Sequence, residues 1–176
     1  MSVLVTAGSR HGSTEEIATS IAATIAANDI PCVNPTIDEA RTMSFAEIGE
    51  IDAFVIGSGV YAGRWLESPR RFVERIAPAL HGRRVWFFSS GPLGAPPQHE
   101  QNPTDIPTLC RLAASTDHRL FAGKLDRSTL SLGERALVAA LRAPEGDFRN
   151  WASIEEWAEE IAAGLRTLPT SVVDSP

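Results

Sequence analysis

Apolar runs alternate with amphipathic segments along the chain. Five short runs are candidate strands, and the clearest of them are almost entirely apolar instead of alternating with polar residues, which is typical of strands buried on both faces of a sheet. The predicted strands are residues 3–7, 30–33, 53–57, 85–88 and 118–122. Apolar spacing and capping residues predict helices at 15–27, 44–48, from 68 onward, 105–114 and 153–165, with Ser68 as a cap. Strands that alternate with helices in this way predict an α/β fold with a doubly wound, five-stranded parallel sheet and helices on both faces.

Two segments depart from this alternation. Residues 91–107 are rich in proline and polar residues and are predicted to form a loop. Residues 123–150 separate the last predicted strand from the last helix and are too long for an ordinary connection, so they are predicted to be an insertion. Within it Leu132, Leu137, Val138 and Leu141 recur at roughly helical spacing. We expect a single domain at 1–168 that contains this insertion, followed by a disordered tail at 169–176.

Composition narrows the function classes. The chain has 176 residues with 16 Lys and Arg against 22 Asp and Glu, a net charge of −6, which argues against general nucleic-acid binding. Its cysteines, Cys32 and Cys110, do not form a disulfide framework, and no metal-ligand spacing is present, so no metal is expected. The N-terminus does not resemble a signal peptide and no apolar run is long enough to span a bilayer. We therefore expect a soluble cytoplasmic protein.

The loop after the first predicted strand is a candidate anion site. It is small, rich in hydroxyl groups and opens directly into a helix, where backbone N–H groups bind anions. The patterns GxxxxGK[ST] and GxGxxG are absent, which excludes a Walker-type or dinucleotide site and leaves a monophosphate. The alternative is that Ser13 merely caps the helix in a capping box with Glu16. The candidate phosphate residues are Ser9, Arg10, His11, Gly12, Ser13 and Thr14.

Two further loops follow the third and fourth predicted strands. Glycines in both allow a ligand to approach the backbone, and Tyr61 and Trp65 offer flat aromatic faces, although both rings could instead cover a hydrophobic edge. The candidate residues are Ser58, Gly59, Val60, Tyr61, Ala62 and Trp65 in one loop, and Ser89, Ser90, Gly91, Pro92, Leu93 and Gly94 in the other. Ligands of open parallel sheets bind beyond the carboxyl ends of the strands. Together the loops predict a slot with a phosphate end and a ring end.

The segment from Ser9 to Thr14 resembles the T/S-x-T-G-x-T phosphate loop of flavodoxins, with His11 where that motif usually has Thr. The other two loops fall where flavodoxins hold the two sides of the FMN ring. The resemblance implies a flavodoxin-like fold with strand order 2-1-3-4-5 and FMN as the cofactor. It also implies that Tyr61 or Trp65 stacks on the ring, while the loop after the fourth strand supplies backbone contacts.

A narrower resemblance lies on either side of the insertion. Residues 121–126 (FAGKLD) and 145–151 (EGDFRNW) are similar to the menaquinone-dependent protoporphyrinogen IX dehydrogenases, flavodoxin-like proteins with an extra segment before the final helix. Arg127 stands where that family commonly has Tyr. The resemblance implies an FMN-dependent oxidoreductase that acts on a porphyrinogen and passes electrons to a quinone or similar acceptor.

Alternatives remain open at this point. The chain could be a flavodoxin-type electron carrier with redox partner proteins, or a flavin-free binding module. The insertion is either a surface helix packed on the core or a platform beside the flavin, whose cations would meet propionates or peripheral anionic lipid. Those cations are Lys124, Arg127, Arg135, Arg142 and Arg149. We expect no catalytic residue from the protein itself, because the ring carries the chemistry, and we expect His11, His99 and His118 to be structural or solvated.

Overall fold

A computed structural model describes residues 1–91, 102–115, 117–140 and 144–167. In chain order the elements are β1 (Val3–Gly8), α1 (Ser13–Ala27), β2 (Cys32–Val33), α2 (Ile37–Thr42), α3 (Phe45–Gly49), β3 (Ala53–Tyr61), β4 (Arg64–Trp65), α4 (Glu67–Leu80), β5 (Arg84–Ser90), α5 (Ile106–Ala113), β6 (Asp117–Phe121), β7 (Lys124–Leu125), α6 (Leu132–Ala140), β8 (Gly146–Asp147) and α7 (Trp151–Arg166).

Five strands form a parallel sheet in the order β2-β1-β3-β5-β6. This arrangement confirms the predicted α/β fold and its strand order. The short strand β4 pairs antiparallel with the end of β3. The strands β7 and β8 form a separate two-stranded ribbon inside the predicted insertion.

Two apolar cores cover the faces of the sheet, as expected for strands that are apolar throughout. On one face, α1 and α7 pack against alternate strand residues such as Val5, Val55 and Phe88. On the other face, helices α2 to α5 pack against Leu4, Phe54 and their neighbours. The central strands are therefore rigidly held, and their carboxyl ends present loops at a fixed edge of the sheet.

Several boundaries differ from the sequence expectation. Helix α4 begins at Glu67 with Leu66 at its N-cap, so the prediction that Ser68 caps it is wrong. The Leu66 N–H donates to Ser58 Oγ at 3.0 Å, and this bond fixes the N-cap at Leu66, two residues before Ser68. Helix α2 was missed, although Thr36 and Glu39 form a complete capping box at its start.

The insertion is folded in part. Its predicted helical spacing corresponds to α6, although Leu132 is 85% exposed and so does not pack on the core. Residues 141–143, most of the predicted loop at 91–107, and the predicted tail lie outside the described residues.

Candidate functional site

The loops after β1, β3 and β5 begin at one edge of the sheet. Gly8 pairs with Ser58, and Ser58 pairs with Ser89, so β1 and β5 end near the level of Ser58 while β3 continues to Tyr61. A Cβ atom added to Gly59 would lie 3.3 Å from Thr14 Oγ1 and 3.2 Å from the Tyr61 ring. The first and second candidate loops are therefore in close proximity, as the parallel topology predicts.

The phosphate-loop candidate enters α1 through a glycine. Gly12 is the N-cap of α1 and has a left-handed φ of 81°. No side chain forms a capping hydrogen bond at the start of this helix. Ser13 is already the first helical residue, so the alternative of a Ser13–Glu16 capping box is wrong. Ser9 Oγ lies 3.4 Å from the Thr14 backbone nitrogen and accepts its hydrogen bond. The first turn therefore presents the positive end of the helix dipole beside the Ser9 hydroxyl.

Tyr61 is the partly exposed aromatic residue of the second loop. The Arg10 guanidinium carbon lies 4.4 Å from the centre of the Tyr61 ring, which is a cation–π contact between two candidate loops. Arg10 therefore lies between the phosphate end and the ring end of the predicted slot.

Trp65 has a different role from the one expected. Its side chain is only 3% exposed, and its ring meets Phe87 edge-on at 5.7 Å. Its Nε1–H donates to Ser89 Oγ at 2.7 Å. An indole enclosed in this way has no free face for a ligand, so the structure corrects the stacking role suggested for Trp65 and favours Tyr61.

The serines at the strand ends brace the backbone. Ser58 Oγ donates to the Gly59 carbonyl at 2.8 Å, and both Ser58 and Ser89 are fully buried. Ser90 is also buried, and the Gly91 N–H donates to the Phe121 carbonyl at 3.0 Å. The hydroxyls of Ser58 and Ser89 thus hold the strand ends in place and are not free to contact a ligand. Pro92, Leu93 and Gly94 of the third candidate loop lie outside the described residues.

A tight hairpin holds Tyr61, and its anchor was missed in the sequence. Ala62 and Gly63 both have left-handed φ values, 49° and 73°, in the two-residue turn between β3 and β4. Asp105, just before α5 and 8% exposed, accepts from the Trp65 backbone N–H at 2.9 Å and from Arg64 Nε at 3.0 Å. Asp105 therefore fixes the returning strand of the hairpin.

His118 belongs to the same network, which agrees with the expectation that this residue is structural or solvated. Ser89 Oγ accepts from Trp65 and shares a second hydrogen bond with His118 Nε2 at 2.8 Å, in which the tautomer of the ring decides the donor. Burial lowers the pKa of His118 to about 4, which keeps the ring neutral. The chain Trp65–Ser89–His118 thus links the hairpin, β5 and β6.

This network predicts a pH-dependent stability. Because the folded pKa of His118 is about 4 against 6.5 normally, the unfolded chain takes up the proton first as the pH falls. The contribution of His118 is therefore complete above about pH 6.5 and is lost as the pH falls from there toward about 4. Chemical denaturation across this range should show a steeper loss of stability for the wild type than for His118→Gln, whose amide does not titrate and can either donate to Ser89 or accept from it. Equal slopes for the two proteins would contradict the assignment.

Three of the insertion's cations, Arg127, Arg135 and Arg149, are engaged by other groups of the protein. Arg127 pairs with Glu145, while Arg135 donates to the carbonyls of Leu130 and Ser128. Arg149 is held by carboxylates, with its side chain 3% exposed. Lys124 is partly buried, and Arg142 lies outside the described residues. The suggested role of these residues as a common anion-binding face is therefore not favoured.

Comparison with known proteins identifies the fold. Residues 4–150 match a family model described as a flavodoxin domain. No curated protein matches the chain significantly. Within the described ranges, no helix combines the length and apolarity that crossing a bilayer requires.

Solved structures share the fold at low sequence identity. A flavodoxin from the domain Archaea has a TM-score of 0.65 and 15% identity, covering 94% of this chain and 99% of its own. Megasphaera elsdenii flavodoxin, in its two-electron reduced form, has a TM-score of 0.61 and 17% identity, covering 93% and 99%. Rubredoxin oxygen:oxidoreductase from Desulfovibrio gigas has a TM-score of 0.64 and 13% identity, covering 94% of this chain but 36% of that one.

Proposed function

The chain belongs to the flavodoxin domain family, and from this premise we propose that it binds FMN at the loops after β1, β3 and β5 and transfers electrons through it. The observation that carries the proposal is the meeting of these loops at one sheet edge, where Gly59 lies against both Thr14 and Tyr61. Bound FMN supplies the electron-transfer chemistry of its isoalloxazine ring, and the protein supplies position and electrostatics.

The residues present fit a monophosphate at one end. The start of α1 has no side-chain cap, and Gly12 opens the loop without a side chain in the way. Ser9, Ser13 and Thr14 would supply hydroxyls and backbone N–H groups, and Arg10 would supply a cation. The Ser9–Thr14 loop is therefore the part of the chain that would hold the phosphate.

At the other end the fit is to a flat ring. Tyr61 is partly exposed at the end of β3, next to the β3–β4 turn. Ser90 pairs with Gly59 on the neighbouring strand, so the backbone at Ser90 and Gly91 lies at the same edge of the sheet. Tyr61 would stack on the ring, with Gly59 giving close backbone approach.

A titration of the apoprotein with FMN tests this proposal. We expect quenching of the flavin fluorescence on binding, because the ring would stack on Tyr61, and we expect riboflavin to bind at least about tenfold more weakly than FMN for lack of a phosphate. A protein that takes up neither flavin would overturn the proposal and support a flavin-free binding module.

A more specific proposal is a protoporphyrinogen dehydrogenase-type oxidoreductase with a quinone or similar acceptor. It is supported by the segment between β6 and α7, which carries the ribbon β7–β8 and the helix α6 with Leu132 exposed. Quinone-coupled oxidation of protoporphyrinogen is the direct assay. If turnover is unchanged after removal of residues 128–144, the segment is not a platform for the substrate.

A flavodoxin-type electron carrier is the second candidate. It is favoured by the internal pairing of Arg127, Arg135 and Arg149, which leaves these side chains engaged by the protein itself. Efficient reduction by a reductase partner, without oxidation of protoporphyrinogen, would favour the carrier. In either case we propose a cytoplasmic protein with one flavodoxin-like domain at residues 1–168.

A further inference from the structure

Arg149 connects the insertion to the start of α1. Its Nε and Nη2 donate to the two oxygens of Asp147 at 2.8 and 2.6 Å. Its Nη1 donates to Glu16 Oε2 at 2.7 Å and to the Ser13 carbonyl at 3.0 Å. All three guanidinium nitrogens are thus engaged, across 133 residues of sequence in the case of Glu16.

The surroundings of Arg149 fix its position. Its side chain is 3% exposed, and its guanidinium carbon lies 4.4 Å from the centre of the Trp151 ring at the start of α7. Asp147 belongs to the ribbon, where it pairs with Lys124, and the next residue, Phe148, donates its N–H to the Gly123 carbonyl at 3.1 Å. Arg149 therefore clamps the ribbon, α7 and the first turn of α1 at one point.

The acidic residues at the start of α1 indicate a second role for Arg149, beyond holding these elements together. Glu15 and Glu16 both lie in the first turn, where carboxylates favour the helix dipole but oppose a bound phosphate. Burial, together with the nearby Asp38, raises the pKa of Glu15. The charge of Glu16 is offset in part by direct contact with Arg149, which Glu16 shares with Asp147. The cation thus removes part of the repulsion that a phosphate at Ser9–Thr14 would meet.

We propose that Arg149 is a positioning residue that makes the site selective for a phosphorylated flavin, by holding the first turn of α1 and offsetting the charge of Glu16. This inference rests on the proposed function, because it concerns the phosphate end of the same site. Arg149 acts through Ser13 and Glu16 and is not assigned a contact with the ligand. Its signature is the ratio of FMN affinity to riboflavin affinity, since riboflavin has the same ring and no phosphate.

The test is a titration of the full-length apoprotein with FMN and with riboflavin for four variants: Arg149→Met, Glu16→Gln, their double mutant, and Arg119→Met. Arg119 is the matched control because it forms a more exposed ion pair with Glu160 on α7 and makes the same change of charge. Circular dichroism reports whether each variant folds.

We expect Arg149→Met to weaken FMN binding about fivefold to thirtyfold, and riboflavin binding much less, because the charge of Glu16 in the first turn of α1 is then no longer offset. The double mutant should regain most of the lost affinity for FMN. Arg119→Met should bind both flavins like the wild type. Equal losses for the two flavins, or no recovery in the double mutant, would reduce Arg149 to a structural clamp and overturn the inference.

The single variant Glu16→Gln keeps the inference testable if Arg149→Met does not fold. It leaves Arg149 with one carboxylate fewer, so FMN should bind about twofold to fivefold more tightly and riboflavin unchanged. Parallel changes or no change would count against the inference. If the wild type binds no FMN, the proposed function fails first; if the wild type binds FMN and the ratio does not respond, only the role of Arg149 fails.

Discussion

We expect Asp105→Ala to lower the free energy of unfolding by about 2–4 kcal/mol. The buried carboxylate accepts from the Trp65 backbone N–H and from Arg64 Nε, and Arg70 Nε lies 3.7 Å away. Alanine leaves the Trp65 N–H buried without its acceptor, and it leaves Arg70 beside an apolar side chain. Urea denaturation followed by tryptophan fluorescence measures the loss.

Two comparisons separate this role from a general loss of charge. Asp105→Asn keeps one acceptor oxygen and should lose less stability than alanine. Glu160→Ala removes the acceptor of a more exposed ion pair with Arg119 and should cost less than about 1 kcal/mol. An Asp105→Ala protein as stable as Glu160→Ala would show that the hairpin does not depend on this carboxylate. Because the hairpin carries Tyr61, we also expect Asp105→Ala to bind FMN more weakly.

Asp105 illustrates what the sequence could not predict. The three central strands were predictable because each one is buried on both faces and therefore almost entirely apolar, as in Val3–Gly8, whereas the edge strands β2 and β6 are partly exposed and carry a weaker signal. The loop between β1 and α1 was predictable because Ser9, Gly12 and Thr14 follow such a strand directly, while its binding of a phosphate stays a prediction. A single aspartate in a proline-rich segment has no periodicity, and its partner Trp65 lies 40 residues away. Long-range polar contacts of this kind leave no local pattern.

The same reason explains the other differences at the site. Arg149 and Trp65 were among the candidates for ligand contact because cations and aromatic rings suit such a role, yet tertiary packing buries both side chains. For Ser13, the sequence agreed both with a helix cap and with a position inside the helix. In the structure Gly12, in a left-handed conformation, is the N-cap, so Ser13 is the first helical residue. A pattern read from the sequence gives the chemistry of a side chain but not its neighbours.

The substitution Gly59→Val should weaken FMN binding about tenfold to a hundredfold. A Cβ atom at Gly59 would lie 3.2 Å from Tyr61 Cε2 and 3.3 Å from Thr14 Oγ1, which is closer than normal van der Waals contact. The two further methyl groups of valine must displace one of these neighbours. Tyr61 belongs to the ring end of the slot and Thr14 to the phosphate end, so either displacement disturbs the proposed site.

Flavin titration measures this effect, and Gly49→Val is the matched control. Gly49 is exposed at the end of α3, and an added Cβ would have no atom within 4 Å there, so its FMN affinity should equal that of the wild type. Riboflavin distinguishes which neighbour gives way. If Thr14 moves, FMN should lose more affinity than riboflavin, and if Tyr61 moves, both flavins should lose affinity equally because they share the ring. A Gly59→Val protein that binds both flavins like the wild type would place the ligand away from the contact between the first two loops.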